Sequence, residues 1–193
     1  VASAQLAMTY GELAEAGALP ADQAYKRARE TAERALQLDP ELAAAHCTMG
    51  YLKATHEFDW SAAEQYFRRA LELSPSGSDA YSLYGRMCAA LTRYDEAIAL
   101  GMRPHELDPL THRMDVITSL LRAGRYDDAI VRMEALVELD PTNERARATL
   151  GWAYFLSGRR EDGVAEIERA AAATRNTAWL AQLGQVYGIM GKT

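Results

Sequence analysis

Two cysteines, Cys47 and Cys88, are all that 193 residues contain. That is too few for a disulfide framework. It fits reduced thiols that pack in helices as small hydrophobes, and hence a cytoplasmic protein. No apolar run reaches the ~18 residues that a bilayer span needs, so no membrane partner is expected. No charged-then-apolar leader opens the chain. It starts on Val1 rather than Met, which reads as a segment of a longer parent. Basic charge is also short. The 21 Lys and Arg stand against 27 Asp and Glu, for a net charge of −6. A nucleic-acid reader carries a basic excess, so nucleic acid is not the expected partner.

Chemistry-bearing patterns are equally sparse. His46, His56, His105 and His112 have no short-spaced pairing of the kind a zinc site uses. The closing Gly191-Lys192-Thr193 lacks two things a phosphate-binding loop requires. Val186 stands where a Gly is needed, and a helical stretch precedes it rather than a strand. Asp127-Asp128 and Glu161-Asp162 open helices, where carboxylates suit the positive end. No Ser-His-Asp or Cys-His arrangement is visible. Neither a metal, a cofactor nor a catalytic residue is expected, and the chain does not read as an enzyme.

What is present is Ala, Leu and a period. Ala and Leu lose little entropy in a helix, which favours helix over sheet. Residues 93–109 and 125–141 are nearly the same text, and Gln37-Leu38-Asp39-Pro40 and Glu72-Leu73-Ser74-Pro75 share their ending. Pro40, Pro75, Pro109 and Pro141 recur at intervals of 35, 34 and 32 residues. Proline cannot continue the helix before it, so each marks a joint. Gly11, Gly50, Gly85, Gly151 and Gly184 fall inside the first helix of each unit, with Ile117 in their place once. A mid-helix Gly costs ~1 kcal/mol against Ala, which close approach of a neighbouring backbone would explain. A second helix repeats a small residue, a residue four on and another three further. Examples are Ala63, Phe67 and Ala70, and Gly163, Ile167 and Ala170. That spacing keeps all three on one face. Gly124, Gly158 and Gly191 mark the turns between paired helices.

These linked positions resemble the tetratricopeptide repeat. Tyr81, Tyr84, Gly85, Ala97 and Pro109 carry the pattern in one unit. Leu150, Gly151, Tyr154, Gly163, Ile167 and Ala170 carry it in another. The resemblance implies an all-α fold, a right-handed α-solenoid of antiparallel helix pairs with about eleven helices. These are expected at 4–17, 20–38, 41–55, 59–73, 77–91, 94–107, 111–123, 126–139, 143–157, 160–173 and 176–190. One domain, 1–193, would comprise units 4–40, 41–75, 76–109, 110–142 and 143–175, with a partial unit 176–193. A narrower likeness lies in His56-Glu57-Phe58-Asp59-Trp60 and the helix after it, which resembles repeat arrays of bacterial multidomain regulators.

The family implies a role. Its inner surface is lined by first-helix residues and receives a partner peptide or helix. The corresponding positions are Met8, Glu12 and Glu15; Cys47, Tyr51 and Thr55; Ser82, Arg86 and Ala89; Met114, Thr118 and Arg122; and Arg145, Trp152 and Phe155. Aromatic and Arg side chains are the usual anchors, so Tyr51, Arg86, Arg122, Arg145, Trp152 and Phe155 form the candidate groove. The expectation is a non-catalytic protein–protein interaction scaffold. The alternative is a self-association or regulatory segment of a larger bacterial signalling protein or transcription regulator. Cys47, Ser82, Met114 and Tyr51 stand where some family members clamp an acidic chain end with Lys and Asn, so that clamp is absent.

Two departures carry expectations. Gly101 and Pro104 inside a second helix predict a bend or an early end near Gly101, with a separate turn through His105 to Leu107. In the last helix, Leu180, Leu183, Val186, Tyr187 and Met190 would lack a covering second helix, which suggests a homodimer through that helix.

Overall fold

The computed structural model describes residue 9 and residues 20–107, 113–174 and 177–191. Ten helices and no strand occur among them: α1 Ala21–Leu38, α2 Ala43–Thr55, α3 Trp60–Leu73, α4 Ser78–Ala90, α5 Tyr94–Leu107, α6 Arg113–Arg122, α7 Tyr126–Leu139, α8 Glu144–Leu156, α9 Arg160–Thr174 and α10 Thr177–Met190. The expected helix 4–17, with Gly11, lies outside the described residues except for residue 9. No helix described is long and apolar enough to cross a membrane.

The chain divides into two compact units, 1–116 and 117–193, with the division falling inside α6. In the first, α2 packs on α3 and α4 on α5 as helix hairpins. Phe67 joins the two hairpins. A Cβ added to Gly50 would sit 2.9 Å from its ring, so the ring lies flat on the bare backbone of α2. Its other side stacks on Tyr84 of α4, with centroids 5.6 Å apart. Ala28, Ala63 and Ala97 supply the small contacts of the same core.

Charge reinforces the packing. Arg93, after the α4–α5 turn, bonds Glu64 of α3 at 2.7 Å and Glu96 of α5. Tyr84 donates to Glu96 at 3.1 Å. The Arg93 guanidinium, with Arg68 helping, holds the Glu64 carboxyl down at about 2. Asp59 caps α3 by accepting from the Ala62 amide.

The second unit repeats the scheme with closer contact. Gly151 of α8 and Gly163 of α9 face each other, and a Cβ on either would meet the other's carbonyl oxygen at 2.6 Å. Ile167, fully buried, fills the space beside them. Tyr154 donates to Glu134 of α7, and Arg147 of α8 pairs with Glu166 of α9. Asn143 caps α8 through the Ala146 amide.

Two expectations are corrected. α5 is one α-helix from Tyr94 to Leu107 and neither ends near Gly101 nor turns at His105. Gly101 serves packing instead: a Cβ there would meet Val116 Cγ2 at 2.7 Å. The covering of α10 is also different. Val186 is fully buried, and Leu183, Tyr187 and Met190 pack with it against Phe155, Val164 and Ile167. Those four side chains form the inner face. Leu180 and Ile189, nine residues and so half a turn apart, lie on opposite flanks of that face, each about half exposed, and a Cβ added at Gly184 would meet nothing within 4 Å.

Candidate functional site

First-helix positions differ in how far they reach solvent. In the first unit Tyr51 and Cys47 are buried, and Tyr51 belongs to the core. Thr55 is exposed and donates back to the Tyr51 carbonyl, a local bond that caps no partner. Ser82 is buried because its hydroxyl donates to Asp115 of α6. Ala89 is buried as well. Arg86, one turn beyond Ser82, is exposed and forms no ion pair with a described residue. Of the first unit's two groove candidates, Tyr51 is packing and Arg86 is surface. Met8, Glu12 and Glu15 lie outside the described residues. Met114 is half-buried.

In the second unit Thr118 is exposed, and so are Arg122 and Arg145; neither arginine pairs with a described carboxylate. Trp152 is half-buried. Its ring stacks on Phe155, with centroids 5.7 Å apart and planes 9° apart. Phe155 is 6% exposed and sits in the cluster that receives α10. Arg160 lies over its ring at 5.8 Å. Phe155 therefore supports Trp152 from below, and Trp152 keeps part of its surface for solvent.

Neither cysteine is an activated nucleophile. Burial pushes the Cys47 and Cys88 thiols up to about 12, the opposite of an activated thiolate. No group of His, Cys, Asp and Glu that could hold a metal occurs among the described residues. A cavity of 340 Å³ lies between α1 and the end of α2, lined by Asp22, Lys26, Arg29, Glu30 and His56. Its charges are mixed, and Arg29 is already committed to Glu57 at 2.7 Å.

Sequence reasoning missed two turn residues. Phe58 and Thr92 take φ of 55° and 60°, the left-handed conformation that Gly124 and Gly158 supply in the later units. Neither residue type signals it.

A family model described as Tetratricopeptide repeat matches residues 120–185, and a second of the same description matches 59–103. Together they cover more than half of the chain. The Protein STIP1 homolog of Dictyostelium discoideum is 27% identical over 106 residues, which is 54% of this chain and 19% of that protein. The crystal structure of PilW, a widely conserved type IV pilus biogenesis factor, has a TM-score of 0.76 at 20% identity. It covers 99% of this chain and 86% of its own. YrrB, a TPR protein with an unusual peptide-binding site, has a TM-score of 0.68 at 21% identity. It covers 91% of this chain and 88% of its own. At these identities the structural likeness is one of fold.

Proposed function

We propose that this chain, which belongs to the tetratricopeptide repeat family, is a non-catalytic protein–protein interaction scaffold whose first-helix faces receive a peptide or helix of a partner protein. The observation that carries this reading is the second unit's first-helix surface. Trp152, half-buried and stacked on Phe155, stands there seven residues from Arg145 and so on the same face of α8, and neither Arg145 nor Arg122 of α6 pairs with a described residue. Aromatic and arginine anchors backed by packed side chains are what interface hot spots consist of. The first unit, taken by itself, also exposes an arginine on a first helix, Arg86. Tyr51 and Phe155 act from beneath, by fixing the surfaces above them. That residues 1–193 work as one repeat domain is part of this proposal. So is a cytoplasmic location.

YrrB, named for its peptide-binding site, shares the fold, which adds support for peptide capture. The absence of catalysis is supported by the fate of the reactive groups. The thiols are buried, and the shifted carboxylate, Glu64, is held ionised by arginines.

The test is a peptide selected from a random displayed library on the purified chain. Arg122→Ala should weaken it at least ten-fold while Arg132→Ala, an exposed arginine on second helix α7, leaves it unchanged. Equal loss in both variants, or no selectable peptide, overturns the reading.

A second reading, self-association of a larger signalling protein, is favoured by the outer face of α10. Leu180 is 50% exposed there, one turn from Gly184, where an added Cβ would meet nothing within 4 Å. Sedimentation velocity should show a concentration-dependent dimer that Leu180→Glu abolishes. A monomer at every concentration ends that reading.

A further inference from the structure

The outward face of α7 departs from the repeat. Six positions after the small residue of each second helix stand Arg34 in α1, Arg69 in α3, Arg103 in α5 and Arg169 in α9, but Ala135 in α7. Arg34, Arg69 and Arg169 are each held by a neighbour on their own helix, Gln37, Glu72 and Glu166. Val131 and Leu139 lie one turn to either side of Ala135 and are 66% and 64% exposed. Ala135 is exposed between them. Residues four apart share a helix face, so the three form one apolar stripe.

The flanks of that stripe carry opposite charge. At 3.6 residues per turn Arg132 lies about 60° to one side of Ala135. Glu138 lies about 60° and Asp127 about 80° to the other side. None of the three forms an ion pair with a described residue. Asp128, at the amino-terminal end of the stripe, is already neutralised by Arg125 at 2.7 Å.

We propose that this face receives α7 of a second copy of the chain, the two helices parallel and related by a two-fold axis along their length. Charge selects the orientation. In a parallel pair the basic flank of one helix meets the acidic flank of the other, so Arg132 of each copy faces Asp127 of the other, as flanking positions do in parallel coiled helices. In an antiparallel pair the two basic flanks would meet, and so would the two acidic flanks. The two-fold axis also sets residue 135 against itself. Ala135 lets the backbones approach there, where the arginine of the other second helices would face its own copy. Three side chains on one helix cover far less than the ~800 Å² per partner of a stable interface. The pair is therefore transient, weakened by salt, and captured by cross-linking rather than seen as a sedimenting dimer. It is independent of peptide docking on the first helices and of Leu180 on α10.

The test uses single-cysteine variants of the whole chain under mild oxidation. Cys47 and Cys88 are buried and stay out of the reaction. Val131→Cys and Leu139→Cys should each form disulfide-linked dimers at least ten-fold faster than Glu161→Cys, an exposed position on α9. An equal mixture of the first two should give mainly 131–131 and 139–139 links. Adding Arg132→Glu to Val131→Cys should slow the link at least ten-fold, and adding Asp127→Arg to that variant should restore it. Leu180→Glu should leave the rate unchanged. Linking no faster than Glu161→Cys overturns the proposal and leaves the stripe to a different protein or to solvent. Mainly 131–139 links overturn it in favour of an antiparallel pair. Loss of the link in Leu180→Glu overturns it in favour of association through α10, and no response to the charge changes removes its basis.

Discussion

Gly151→Ala and Gly184→Ala change the same repeat position in helices α8 and α10, and they should move stability in opposite directions. Replacing a mid-helix Gly by Ala gains ~1 kcal/mol of helix propensity. At Gly184 nothing lies within 4 Å of the new methyl, so that gain is kept. At Gly151 the methyl would fall 2.6 Å from the Gly163 carbonyl oxygen and 2.7 Å from Ile167 Cγ1. The first of these is backbone and cannot rotate away. Overpacking a tight core costs ~1–3 kcal/mol, and a backbone clash belongs at the upper end of that range. The net for Gly151→Ala is a loss of about 2 kcal/mol after the propensity gain. For a chain of this length that lowers Tm by roughly 4–8 °C. Gly85→Ala lies between, with its methyl 3.3 Å from the Ala97 carbonyl, and should be close to neutral. The assay is urea and thermal unfolding followed by circular dichroism. Equal stabilisation by all three substitutions would refute close backbone approach as the reason for these glycines.

Other consequences follow from the same structure. Phe67→Ala should cost ~3–5 kcal/mol in urea unfolding, because it removes the fully buried ring between Gly50 and Tyr84; a loss under 1 kcal/mol contradicts that role, whatever the cavity does. Glu64, held at about 2 against an ordinary 4.5, contributes stability that is complete above pH 4.5 and fades as pH falls toward 2. The stability difference between wild type and Glu64→Gln should therefore shrink over that window, and a difference that stays constant with pH excludes the Arg93 pairing. Cys47 and Cys88, buried with thiols near 12, should resist a thiol reagent at pH 8 in the native chain and react in urea. Rapid native labelling would show that the helices open locally.

Much of the fold was legible because the repeat writes its contacts at fixed offsets. Gly50, Gly85, Gly151 and Gly184 were read as places of close approach; the first three do meet a second helix, whereas a Cβ at Gly184 would meet nothing within 4 Å. The Ala63, Phe67 and Ala70 stripe lands on one buried face. Gly101 was misread because a helix Gly followed by Pro104 looks like a break, whereas the glycine makes room for Val116. That contact is tertiary and leaves no local mark. The inner face of α10 was assigned to a missing neighbour for a related reason: periodicity gives a stripe but not which neighbour the stripe meets. The Arg93–Glu64 bridge joins residues 29 apart, beyond any local pattern. At the candidate site, the sequence singled out residue types that anchor partners without separating seated from exposed. Tyr51 and Phe155 turn inward, while Arg86, Arg122 and Arg145 face solvent. Burial decided that difference, and burial depends on which helix comes next.

The most direct measurement of partner docking is a set of 1H–15N correlation spectra of the chain titrated with a library-selected peptide. Shifts confined to first-helix residues around Arg122, Arg145 and Trp152 are the expected result. Shifts centred on second-helix residues such as Arg132 and Glu161, with α6 and α8 unmoved, would contradict it.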